Sequence, residues 1–334
     1  MDTAPTLKAK PAGRLQHIDF AKGILIYLMV ISHIHYMGAY PVQMASFFTA
    51  LHAFHMPAFL VFNGLLINFD RPIGQQFKNL LRGLIIPYIL FEFLYITLLF
   101  LAGKTGFKFA NAIDDYSLRN VAGYVFVYPI GAYWYLHTLI IGLAITYVIN
   151  KIFLNKMAVI VACAITFWLM GYVISGFNFA ESIFIIFGLF LNLYGIRLIG
   201  SWLSLVAMGI IFYVNLPYLP GFSMAGLPLS CLAISGLFWI YGAFLPNKLG
   251  LWVKKYFVFT GRNTLIIVLI HPIFLNVLKP ASKYMLMADP SGISNLIIVT
   301  VITVVFCCYC SRLMDKTGVS TLLFGKNIYV PAHA

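Results

Sequence analysis

Uninterrupted apolar runs of about 20 residues recur from one end of the chain to the other. That is the length an α-helix needs to cross the ~30 Å hydrocarbon layer of a bilayer. Ten such runs can be placed, near 20–40, 45–67, 83–103, 130–150, 157–175, 182–199, 201–216, 228–246, 261–279 and 292–311. A membrane β-barrel would instead alternate apolar and polar residues over ~10-residue strands. Composition closes the remaining routes. Apolar residues make up 62% of the 334 and charged ones 9%, against roughly 45–50% and 25% in soluble domains. Too few charges are present to dress a globule in water, and a disordered chain is poor in aromatics and rich in charge. The expected fold is all-α, a polytopic transmembrane bundle of about ten spans. It forms one domain over 1–334, with a cytoplasmic segment at 1–19 and a cytoplasmic tail at 312–334. Met1 to His17 is polar and basic, so no cleavable signal peptide is expected.

The net charge of +13 does not point to nucleic acid, because the 22 Lys and Arg stand singly between apolar runs with no basic stripe. Basic residues beside membrane spans report topology, since cytoplasmic loops collect them. With the N-terminus inside, ten spans leave only Lys104, Lys108, Arg119, Lys279 and Lys283 outside, and the other 17 inside. Both termini are therefore expected in the cytoplasm. Cys163, Cys231, Cys307, Cys308 and Cys310 lie within apolar runs and read as small core hydrophobes.

Ionisable groups within spans cost ~2.5–3.5 kcal/mol on insertion scales, so each is a candidate for function. The first span carries Asp19, Lys22 and His33. Lys22 and His33 are eleven positions apart, which is about three turns plus 20°, so the two share a face ~16 Å apart along the axis. Asp19 can neighbour Lys22 on that face. A snorkelling lysine and an interfacial histidine would look the same in isolation. His52, His55 and Pro57 follow in the second span, where Pro57 frees a backbone carbonyl for which His52 or another helix can compensate. Tyr133, Trp134, Tyr135 and His137 open the fourth span, partly as an aromatic belt. Asn263 and His271 stand in the ninth. Glu92 reads as the one firmly intramembrane carboxylate and a partner for an imidazole. Four imidazoles, His33, His55, His137 and His271, would thus meet in one water-accessible pocket. No HExxH or similar spacing supports a metal, and none is expected.

The same residues carry a resemblance. Ile18-Asp19-Phe-Ala-Lys22-Gly23 followed by Val30-Ile-Ser-His33 resembles the opening helix of the acyltransferase family 3 membrane proteins, with its basic residue and, after ten intervening positions, its histidine. Phe54-His55-Met56-Pro57-Ala-Phe59 with Asn63-Gly64, Leu84-Ile-Ile-Pro87-Tyr88, Tyr133-Trp134-Tyr135-Leu136, and Gly261-Arg-Asn263-Thr264-Leu265 through His271-Pro272 resemble its later signatures, in order, over about residues 14–280. The chain looks most like the bacterial fucose 4-O-acetylase-like branch. Lys22 stands where Arg is commoner, and Asn63 where Ser is usual.

The resemblance implies an O-acyltransferase of the bacterial inner membrane. It would move an acyl group, usually acetyl from acetyl-CoA, to a sugar hydroxyl of an envelope glycan or lipid-linked precursor. Membrane lipids are further partners, and the oligomeric state is left open. By this analogy His33 is the essential histidine and Lys22 its basic partner. Acyl transfer needs a base or nucleophile and an oxyanion donor. The expected catalytic set is accordingly His33, His55 and His271. Lys22, Arg14, Asp19, Arg71, Arg82 and Asn263 are expected to hold the acyl donor, and Trp134, His137, Asn63 and Glu92 the acceptor. The alternative reading is a transporter or flippase of a sugar or glycolipid. It would be expected to show repeat halves with matching interrupted helices, which Pro57 and Pro272 do not supply.

Overall fold

A computed structural model describes residues 15–35, 40, 42–106, 113–215, 226–243 and 247–330. All regular structure among them is helical. Helices α1 (Gln16–Ile34), α2 (Val42–His52), α3 (His55–Leu65), α4 (Ile73–Leu80), α5 (Ile86–Lys104), α6 (Leu118–Phe126), α7 (Trp134–Ile152), α8 (Lys156–Val173) and α9 (Phe179–Tyr194) are followed by six more. These are α10 (Trp202–Asn215), α11 (Gly226–Ala243), α12 (Lys248–Arg262), α13 (Thr264–Ala288), α14 (Ile293–Lys316) and α15 (Val319–Phe324). Among the described residues, eight helical segments are long and apolar enough to cross a membrane, and Phe179–Tyr194 and Trp202–Val214 are shorter apolar helices. The two short ones fall on the sixth and seventh expected spans. At 1.5 Å per residue they reach ~20–24 Å, less than the hydrocarbon thickness. Large apolar side chains such as Trp168, Tyr172, Ile210, Tyr213, Ile297 and Val301 stand exposed on the outer faces, which suits contact with lipid and not with water.

Two glycine contacts fix the architecture around the candidate residues. A Cβ at Gly23 of α1 would lie 1.9 Å from the Phe257 carbonyl oxygen of α12, and one at Gly261 would lie 1.6 Å from the Asp19 carbonyl oxygen. The two backbones touch there, and no side chain fits between them. α3 meets α9 in the same manner: a Cβ at Gly64 would come within 2.1 Å of the Ile185 carbonyl oxygen. Small residues at helix contacts are how membrane helices pack closely when no hydrophobic drive separates them from lipid.

Three local expectations are corrected. The stretch between the eighth and ninth expected spans, 247–260, is largely helical: α12 (Lys248–Arg262) packs along α1 through Phe257, Phe20, Tyr256 and Tyr27. The second span is broken at Ala53–Phe54. Pro57 then falls in the first turn of α3, where a missing N–H costs little. Two carbonyls near the end of α2 also accept from imidazoles: His52 Nδ1 donates to the Phe48 oxygen at 2.7 Å and His55 Nδ1 to the Leu51 oxygen. Finally, residues 312–330 do not trail away. α14 runs on to Lys316, and α15 turns back with Phe324 3% exposed in the core.

Candidate active site

α1 and α13 bring His33 and His271 together, with ring centroids 5.1 Å apart. His33 is half-buried and His271 is fully buried. His271 Nδ1 lies 2.8 Å from the Ile267 carbonyl oxygen. A carbonyl only accepts, so this network assigns the hydrogen to Nδ1, and in the neutral ring Nε2 is a bare lone pair. That Nε2 is buried and has no hydrogen-bond partner among the described residues. Pro272 next door lacks the N–H that would bond the Val268 carbonyl, which loosens the helix at this point. The Tyr133 hydroxyl steadies the same turn by donating to the Leu269 oxygen at 2.7 Å.

His55 approaches from α3. Its Nδ1 is committed to Leu51, so its Nε2 is likewise an acceptor in the neutral ring. Ser32 Oγ, one residue before His33, lies 3.3 Å from that Nε2 and donates to the Met29 oxygen at 2.7 Å. The histidines of α1, α3 and α13 therefore stand in one contiguous group. His35, two residues from His33, packs instead on Phe48 of α2, with ring centroids 4.7 Å apart.

The fourth expected imidazole goes elsewhere. His137 Nε2 donates to the Phe126 carbonyl oxygen at 3.1 Å, and its ring lies 6.1 Å from that of Tyr88. Glu92 meets a backbone amide where an imidazole was expected: its Oε1 accepts the Ile130 N–H at 3.0 Å. Its Oε2 is buried without a hydrogen-bond partner among the described residues. Its role is to tie the turn before α7 to α5. Asn63 donates to the Phe59 oxygen and to the Tyr135 hydroxyl, at 2.8 and 2.6 Å. The half-buried Trp134 lies edge-on to Tyr135.

At the opposite end of α1, Asp19 Oδ2 receives Arg262 Nε at 3.4 Å, and both side chains are about 8% exposed. The sequence offered Lys22 as the neighbour of Asp19, and a residue of α12 is present too. Lys22 is half-buried, while Arg71 and Arg82 are exposed. Asn263 is 2% exposed and its amide grips the peptide of Val330, accepting from its N–H at 3.0 Å and donating to its oxygen at 3.1 Å. Arg14 lies outside the described residues.

Sequence reasoning missed several of these groups. Glu181 is a second carboxylate at the start of an apolar helix, where the Thr138 hydroxyl donates to it at 3.4 Å. Its place one residue before the sixth expected span, 182–199, was the available signal. Ser32 and Tyr133 looked like ordinary helix and belt residues until their partners were in view.

A model of the acyltransferase domain family matches residues 15–312. The chain belongs to acyltransferase family 3. Comparison with curated proteins and with solved structures gives no match. Membership makes this multi-helix membrane protein an acyltransferase, and the match spans every helix from α1 to most of α14.

Proposed function

We propose that this acyltransferase moves an acyl group, acetyl in the simplest case, from cytoplasmic acyl-CoA to a sugar hydroxyl of a bacterial envelope glycan or its lipid-linked precursor. The observation that carries the reading is the His33–His271 pair, one ring accessible and the other a buried lone-pair acceptor, inside a family of acyltransferases. His33 accepts the proton of the acceptor hydroxyl as the oxygen attacks the thioester carbonyl. The C–S bond breaks and the imidazolium returns its proton to the departing thiolate, so charge and atoms balance. Positioned bases of this type contribute ~10²–10⁴-fold. The His271 lone pair accepts from the second ring N–H of His33 while it is charged, and so steadies the cation. Asn63 and Trp134 are donors for the developing oxyanion or the acceptor.

For the donor, Lys22 on the same face of α1 and the exposed Arg71 and Arg82 supply positive charge for CoA phosphates. In the topology expected from the sequence, ten crossings with both termini in the cytoplasm, these groups lie on the side where CoA is found. The branch of the family, the class of acceptor and the inner-membrane location are taken from the sequence resemblance. The test is acetyl transfer from labelled acetyl-CoA to envelope glycans by membranes carrying the wild type or His33→Ala. Loss of transfer in the variant, with normal protein levels, is expected. Undiminished transfer refutes the reading.

A further inference from the structure

The segment after α15 is tied down by two polar side chains, Asp315 and Asn263, the second of them among the residues expected to hold the acyl donor. Asp315 of α14 accepts the backbone N–H groups of Ile328 and Tyr329, one on each oxygen, both at 3.0 Å. Asn263, at the joint between α12 and α13, closes a two-way bond with the peptide of Val330. The Tyr329 ring packs on Phe259 at 5.8 Å, and Ile328 leans on the core. Three consecutive backbone N–H groups thus find side-chain acceptors supplied by two distant helices. Such an arrangement holds one short stretch of chain in one register.

The attachment is also built to release. Between the buried Phe324 and the first anchored amide lie Gly325, Lys326 and Asn327, all exposed. Gly325 has φ +70°, a left-handed conformation that glycine adopts without steric cost. α15 can therefore stay docked while 328–330 swing away. The stretch lies on the groups expected to meet the donor: it occupies the Asn263 amide at both ends, and Gly325 sits against the Arg82 side chain. Asn263 also adjoins Arg262, whose partner is Asp19.

We infer that residues 325–330 form a lid on the cytoplasmic mouth of the acyl-donor site, held shut by Asp315 and Asn263 and displaced when acyl-CoA binds. This inference rests on the donor reading given above. A protein whose binding-competent form is only a fraction of the whole shows an affinity reduced by that fraction. Weakening the latch therefore tightens donor binding.

The test uses the full chain in detergent, with acetyl-CoA as probe. Asp315→Asn keeps the side-chain shape but places an amide NH2 opposite a backbone N–H. Val330→Pro removes the N–H given to Asn263 and leaves the Asp315 and Asn263 side chains intact. Each variant is expected to bind acetyl-CoA about threefold or more tighter than the wild type. In the wild type, acetyl-CoA should raise hydrogen exchange of the peptide containing Ile328 to Val330. If Asp315→Asn does not fold, Val330→Pro and the wild-type exchange decide. Binding that is unchanged or weaker in the variants, or exchange that stays the same or falls on adding acetyl-CoA, overturns the lid while leaving the donor reading standing. Absence of binding in wild type and variants alike overturns the donor reading, and the lid with it.

Discussion

Gly23→Ala tests the placement of α1, the helix that carries both Lys22 and His33. The added Cβ would sit 1.9 Å from the Phe257 carbonyl oxygen, and ordinary van der Waals contact begins near 3.4 Å. The obstacle is backbone, so no rotamer relieves it, and α1 and α12 must part by roughly 1.5 Å. Overpacking of this type costs ~1–3 kcal/mol. A catalytic group displaced by ~1 Å can lose ~10²-fold in rate, and His33 rides on the displaced helix. The control is Gly209→Ala on α10, where nothing lies within 4 Å of a new Cβ. Alanine there gains helix propensity of up to ~1 kcal/mol. Thermal unfolding in detergent and acetyl transfer are measured side by side. Gly23→Ala should melt lower and lose most activity, while Gly209→Ala should match or exceed the wild type. Equal melting and equal rates for the two variants would refute the close α1–α12 contact.

His35→Ala should keep most acyl transfer, because its ring faces Phe48 and not His271; transfer assays that find it as inactive as His33→Ala would contradict the assigned face. His271→Phe should lower kcat by ~10²–10⁴-fold with acetyl-CoA affinity unchanged, read by steady-state kinetics and equilibrium binding. Acetyl-CoA binding should weaken with added salt, and Lys22→Ala should reduce it more than Lys8→Ala. Reporter fusions at Asp114 and after Lys316 should report opposite compartments. Asp289, in the turn between α13 and α14, accepts hydrogen bonds from the Ser291 hydroxyl and from Ser294, which hold its carboxyl well below the usual range. A depressed value means stabilisation that is present at neutral pH and fades as pH falls through the folded value. Melting curves of wild type and Asp289→Ala should therefore differ at pH 7 and converge in acid.

The sequence alone determined where the long apolar helices lie, because a bilayer imposes length and apolarity on each span separately and both can be read locally; the less apolar α4, α6, α12 and α15 carry no such signal. It also determined the shared face of Lys22 and His33, which follows from helical period alone. The break before α3 was less legible. Pro57 marked its neighbourhood, but the interruption lies at Ala53–Phe54 and is sealed by His52 and His55 bonding to α2 carbonyls. The partners of the polar groups were not legible at all. His33 meets His271, Asp19 meets Arg262, Asn263 meets Val330 and Glu92 meets the Ile130 amide. Each pair joins elements far apart in the chain, and spans that are apolar on nearly every face do not reveal how they rotate against one another. Only the packed bundle decides that, through backbone contacts at Gly23, Gly261 and Gly64. Helix rotation there determines which imidazole faces which, and a carboxylate or amide buried by that rotation must bond whatever donor or acceptor the neighbouring helix presents.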